Sequence, residues 1–164
     1  MKHHLLREEN IVAGLSALDH ESALEKIIES LPDWSLRGID KKKILKLLIL
    51  REQIGTTAIG QGIALPHCFS PDVKEPIVAF GVSSEGIPYP SLDGKPVNFI
   101  FVLLLPQDEK SEQKKRQILQ NIKWLLGDRY LQERLRAAQS AHEICQLLVP
   151  EQQPEFAFEV SGAR

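Results

Sequence analysis

The sequence predicts a layered α/β fold: a three-layer α/β/α sandwich with a central mixed sheet flanked by helices on both faces. Two observations carry this expectation. Residues 77–82 and 97–105 are near-continuous apolar runs, bounded by Pro76, Gly86 and Pro106, and strands of that kind are normally covered on both sides. Segments with apolar residues at helical spacing stand before and after them, and such stripes must be buried against another element.

At 164 residues and 43% hydrophobic content the chain has material for one core. We expect a single domain over residues 1–150 and a mobile tail over residues 151–164, which is polar with a few apolar residues. The net charge of −2 mixes both signs, so nothing favours a nucleic acid partner or an anionic membrane. Cys68 and Cys145 are too few for a disulfide framework, and no signal peptide opens the chain, which fits a reducing cytoplasm. The longest apolar run, residues 99–105, falls far short of a bilayer span. A soluble protein without direct membrane insertion is therefore expected.

Along the chain, His3 and His4 read as a solvated tail rather than a metal site. Residues 10–15 read as a first strand. Asp19 caps a helix carrying Ala23, Leu24, Ile27, Ile28 and Leu31, ended by Pro32, with His20 exposed in its first turn. Asp40 caps the next helix, which holds Ile44, Leu45, Leu47, Leu48 and Ile49 and is stopped by Gly55. Lys41, Lys42 and Lys43 stand in its first turn, as a solvated face or a docking patch for an acidic partner. After the two apolar strands, joined through the turn signal Leu92-Asp93-Gly94-Lys95-Pro96, residues 110–126 form a helix with Ile118, Ile122, Leu125 and Leu126 on one stripe. Trp124 lies off that stripe, covering a flank. Asp128 opens a short helix to Ala137, and Ser140 with Glu143 forms a capping box for a last helix reaching Val149, with His142 inside its first turn.

The chemistry concentrates in residues 51–67, REQIGTTAIGQGIALPH. Arg51 ends an apolar helix, and its planar fork can hold two phosphate oxygens at once. Gly55, Gly60 and Gly62 permit positive φ and let backbone N–H groups converge on an anion. Thr56 and Thr57 add hydroxyl donors. Pro66 forces Leu65 into an extended conformation, so His67 is presented at a strand end as a restrained nucleophile.

This run resembles the signature of the fructose/mannitol-type enzyme IIA domain of the bacterial phosphotransferase system, whose pattern is close to RE, two variable residues, G-S-T-G-I-G, one variable residue and G-I-A-I-P-H. Thr56 replaces the usual serine and keeps its hydroxyl. Ala58 replaces the usual glycine and narrows the backbone angles open to the loop. The turn Asp93-Gly94-Lys95-Pro96-Val97 resembles the second recognisable block of the family. The resemblance implies that His67 accepts the phosphoryl group at Nε2 from a phosphohistidine on an HPr-like carrier protein and that Arg51 neutralises it. Thr56, Thr57, Gly60 and Gly62 would bind the phosphoryl oxygens. It implies a phosphotransferase component without cofactor or metal, since the donor is already a high-energy phosphoramidate.

Many members of that family carry a second histidine in the helix after the proline-ended strand. Aligned through Leu135-Arg136-Ala137-Ala138-Gln139-Ser140, that position holds Lys115 here, three residues before Ile118 at the rim of the apolar stripe. Lys115 is a further phosphate-binding candidate by its long stem; the other reading makes Lys114, Lys115 and Arg116 a solvated turn.

With no linker or second domain following, and with its L-R-A-A-Q-S segment, the chain is expected to be a nitrogen-type regulatory IIA that signals by phosphorylation state to a target protein. The alternatives are a sugar-uptake IIA that donates to a cysteine on a IIB domain, and a binding module whose phosphate pocket survives without turnover. A Cys68–His67 hydrolase pair is disfavoured because adjacent strand residues point to opposite faces.

Overall fold

The computed structural model describes residues 6–36 and 38–149. The expectations placed on His3, His4 and residues 151–164 lie outside the described residues.

One strand, β6 (Val97–Pro106), organises the rest. Its side chains alternate between two cores: Val97, Ile100, Val102 and Leu104 face one, and Phe99, Phe101, Leu103 and Leu105 the other. Among the described residues the strands preceding it are β1 (Ile11–Val12), β2 (Ala58–Gly60), β3 (Ile63–Ala64), β4 (His67–Ser70) and β5 (Ile77–Ile87). They form one six-stranded sheet in the order β1-β5-β6-β3-β2, with β4 also paired to β6. β5 runs antiparallel to one edge of β6, whereas β3 and β4 run parallel to it, in succession, at the other. The sheet is therefore mixed.

On the first face lie α1 (His20–Ser30) and α3 (Lys41–Ile54), with the single turn α2 (Asp33–Leu36) between them. Ala23, Leu24, Ile27, Ile28, Ile44 and Leu48 enter that core. On the second face lie α4 (Ser111–Leu126), α5 (Arg129–Ala137) and α6 (Ala141–Leu148), contributing Ile118, Ile122, Leu126, Leu135, Ile144 and Leu148. The expected α/β/α layering is the observed one. Asp19, Asp40, Asp128 and Ser140 each accept a backbone N–H from the first turn of their helix, a contact that contributes about 0.5–2 kcal/mol per cap.

Several elements differ from expectation. The first strand shrinks to Ile11–Val12, because a 3₁₀ turn (Glu8–Asn10) precedes it and Gly14 at φ 64° turns the chain away. β5 continues beyond Val82 to Ile87 through a register shift that hydropathy does not show. His20 is half-buried, its ring tilted against Tyr89 with centroids 5.0 Å apart. Trp124 is 67% exposed, so most of it faces solvent rather than a flank.

Candidate functional site

His67 is the first residue of β4 and pairs with Leu103 of β6. Pro66 just before it interrupts what would otherwise be one strand running from β3 into β4. Its carbonyl oxygen still accepts from Leu103 N at 2.9 Å, so the chain stays on β6 through the break. The break lets the imidazole fold back on its own chain, where His67 Nδ1 lies 2.9 Å from the carbonyl oxygen of Leu65. A carbonyl only accepts, so Nδ1 carries the proton and Nε2 of the neutral ring carries the lone pair. Burial, the largest cause, lowers the pKa of His67, and the charges of Arg51 and Lys115 act in the same direction. The Leu65 carbonyl and Glu52 pull the other way. The net result is a neutral imidazole at neutral pH.

Alternation along β4 separates His67 from its neighbour. Leu65 and Phe69 belong with the α4-side core, while Cys68 is 5% exposed in the core beneath α1 and α3. Burial pushes the Cys68 thiol up to about 12. A Cys-His pair is thus excluded by geometry and by thiol chemistry alike.

Arg51 stands in the last turn of α3 and donates from Nη1 to the carbonyl oxygen of Gly55 at 2.8 Å, capping the helix. Its neighbour Glu52 is the hub of the site. One carboxylate accepts the Thr57 backbone N–H at 3.1 and 3.2 Å, the Thr57 hydroxyl, and the Tyr89 hydroxyl at 2.9 Å. Burial and Glu52 raise the pKa of Tyr89, so the phenol remains a donor. The Thr56 hydroxyl donates to the carbonyl oxygen of Pro90 and accepts the Ala58 N–H at 3.1 Å.

The stretch expected as an open loop is a hairpin. β2 and β3 are antiparallel, Gly60 pairs with Ile63, and the two residues between them, Gln61 and Gly62, have φ of 57° and 77°. Positive φ at both central positions is what a type I′ turn demands. Distant side chains hold it: Gln61 N donates to Asp93 Oδ2 at 3.0 Å, and a Cβ on Gly62 would lie 2.7 Å from Asn98 Oδ1. Gly55, by contrast, is extended at φ 175° with open space where a Cβ would be, so the positive φ expected of it is not used. Ala58 sits fully buried in β2, where no glycine-only backbone angle is needed.

Lys115 is packed rather than solvated. Its side chain is 19% exposed, its ammonium lies 5.7 Å from the centroid of the Phe69 ring, and it pairs with Glu112 at 2.5 Å. The structure thus brings two cations from opposite faces of the sheet, Arg51 from α3 and Lys115 from α4, within electrostatic reach of His67. Glu52 and Tyr89 carry no motif in the sequence that pairs them. The one local signal was the acid directly after Arg51; its partner Tyr89 lies 37 residues on.

No helix among the described residues is long and apolar enough to cross a membrane. Residues 4–150 match the family model described as phosphoenolpyruvate-dependent sugar phosphotransferase system, EIIA 2. Over 144 residues the chain is 31% identical to a nitrogen regulatory protein of Bradyrhizobium diazoefficiens, covering 88% of this chain and 92% of that one. It is 27% identical to the fructose-specific EIIABC component of Bacillus subtilis, across 88% of this chain and 22% of that much longer protein. Among solved structures, nitrogen regulatory protein IIA-Ntr from Neisseria meningitidis superposes with a TM-score of 0.77 at 26% identity, covering 87% of this chain and 95% of that one.

Proposed function

The chain belongs to the EIIA 2 family of the phosphoenolpyruvate-dependent sugar phosphotransferase system, and we propose that it carries a phosphoryl group on Nε2 of His67. The observation that supports this reading is the Nδ1 contact with Leu65, which leaves the Nε2 lone pair on a neutral ring within electrostatic reach of two cations.

In the proposed step the lone pair of Nε2 attacks the phosphorus of a phosphohistidine on an HPr-like carrier protein. The Nε2–P bond forms as the carrier's N–P bond breaks, and that electron pair returns to the carrier's ring, which leaves neutral with the proton its other nitrogen already held. His67 keeps its own proton on Nδ1, against Leu65. Charge on the equatorial oxygens is the main thing to be stabilised in such a loose transfer. Arg51 from α3 and Lys115 from α4 supply that stabilisation. Thr56 and Thr57 contribute by exchanging their present acceptors for phosphoryl oxygens, and Gly60 and Gly62 by shaping the hairpin whose backbone lines the site.

The nitrogen-regulatory role is the favoured form of this function. It is supported by the Bradyrhizobium relative, matched over nearly its whole length. In that role the phosphorylation state is read by a regulatory target protein in the cytoplasm. The alternative is a sugar-uptake role, with donation to a cysteine on a IIB domain, for which the Bacillus relative speaks.

The test is to charge the protein from phosphoenolpyruvate through enzyme I and HPr, isolate it, and mix it with IIB domains. Acid-labile, alkali-stable label that stays on the protein through a panel of IIB domains supports the regulatory form. Rapid discharge to one IIB cysteine supports the uptake form. No label from an active carrier would overturn both in favour of a silent phosphate-binding module.

A further inference from the structure

We propose that Glu112 is a positioning residue that holds the Lys115 ammonium while His67 is unloaded and yields it to the phosphoryl group when His67 is loaded. The inference rests on His67 as the phosphoacceptor.

The pair stands one turn apart on α4, 2.5 Å from nitrogen to oxygen, and its two members are unequally buried: 19% of the Lys115 side chain is exposed against 51% of that of Glu112. The carboxylate faces solvent, whereas the ammonium is turned inward toward β4. The Lys115 ammonium lies over the Phe69 ring, two residues beyond His67 on β4 and on the same side of that strand. The ammonium thus already stands on the His67 side of β4, and the long flexible stem of a lysine lets it exchange one acceptor for another without moving the helix. Glu112 has support of its own. It lies in the first turn of α4, where the exposed N–H groups of the helix favour an anion, and it remains stable there when the ammonium leaves. The N-terminus of α4 is itself fixed by Asp108, which accepts from Lys110 N, Ser111 N and the Ser111 hydroxyl at 3.0, 2.9 and 2.8 Å.

Electrostatics ties the pair to His67 from both ends. The charge of Lys115 lowers the pKa of His67, and the charge of a protonated His67 lowers that of Glu112. A phosphoryl group on Nε2 adds an anion within the electrostatic reach of Lys115, and the ammonium then has two acceptors to choose between.

The consequence concerns how firmly the phosphoryl group is held. A lysine cannot shed its charge near neutral pH, so beside a phosphohistidine it would hold the group at every physiological pH and slow its onward transfer. Glu112 supplies a competing acceptor, which weakens that hold and returns the ammonium as soon as the group departs. A fixed cation thus becomes a reversible one.

A double-mutant cycle tests this. The parent, Glu112→Gln, Lys115→Met and the double variant are charged from the phosphorylated carrier, and the rate of return of label to unphosphorylated carrier is measured. Exposed pairs are weak, so Glu112→Gln is expected to slow return by about two- to fivefold and to raise the labelled fraction at equilibrium to match. The same substitution in the Lys115→Met background is expected to change neither. An equal effect in both backgrounds would mean that Glu112 acts on His67 directly, and no effect in either would mean an idle surface pair; both overturn the proposal.

The NMR titration of His67 in the same four proteins needs no transfer. Coupling between the two positions in its midpoint is expected, and additivity would count against the proposal. Failure of the parent to take label, by contrast, would overturn the carrier reading, and the two failures are therefore distinguishable.

Discussion

His67 donates its Nδ1–H to the carbonyl oxygen of Leu65, 2.9 Å away and two residues upstream across Pro66. The nucleophile and the group that fixes its tautomer thus lie on one short segment, and Pro66 shapes that segment by forcing its predecessor into an extended conformation. The group that accepts from Nδ1 is thus a backbone carbonyl of the same segment.

The first prediction concerns protonation. The native pKa of His67 lies below its ordinary value, chiefly through burial, while the unfolded chain titrates near about 6.5. Between the two values the unfolded state binds more protons. Stability therefore rises with pH there: the contribution of His67 is fully present above about 6.5 and is lost as pH falls towards and through the depressed native value. NMR titration should place the His67 midpoint below that of exposed histidines. Arg51→Gln and Lys115→Gln should each move it upward; a midpoint unmoved by both would contradict the electrostatic account.

Glu52→Ala should destabilise the protein by about 2–4 kcal/mol, because it strands the Thr57 N–H and hydroxyl and the Tyr89 hydroxyl together. Tyr89→Phe removes one donor and should cost about 1 kcal/mol. Urea unfolding of the two variants checks the ranking, and equal losses would deny Glu52 its place as hub.

The glycines should separate sharply. Gly62→Ala places a Cβ 2.7 Å from Asn98 Oδ1 at φ 77°, and a cost of about 1–3 kcal/mol is expected. Gly55→Ala meets open space in an extended backbone and should change stability by less than about 0.5 kcal/mol. Thermal melts of both variants are sufficient to decide.

Cys68 should be silent toward thiol reagents. Burial raises its pKa to about 12 and leaves 5% of the residue exposed, whereas Cys145 is only partly buried. Iodoacetamide at neutral pH should modify Cys145 first, as mass spectrometry of the digested protein would show, and phosphoryl uptake should survive the treatment.

These predictions also mark what the sequence could and could not convey. Elements specified by neighbouring residues were legible: the helix starts at Asp19, Asp40, Asp128 and Ser140, the strand run ending at Pro106, and His67 behind Pro66. Elements specified at a distance were not. Gly60-Gln61-Gly62 reads equally well as an anion loop and as a hairpin turn, since both need positive φ. The residues that decide between them, Asp93 and Asn98, lie more than 30 positions away. Glu52 was hidden for the same reason, because its meaning comes from Tyr89. Hydropathy ends β5 at Val82 because the polar Ser83, Ser84 and Glu85 carry no hydrophobic signal, although the backbone continues to Ile87.

The measurement that bears most directly on the central claim is transfer from labelled phosphoenolpyruvate through enzyme I and HPr to this protein and to its His67→Ala variant, with folding of both verified by circular dichroism. The account predicts acid-labile, alkali-stable label on the parent and none on the variant. Label of equal amount on both, or on neither while the carrier charges a known IIA, would contradict it.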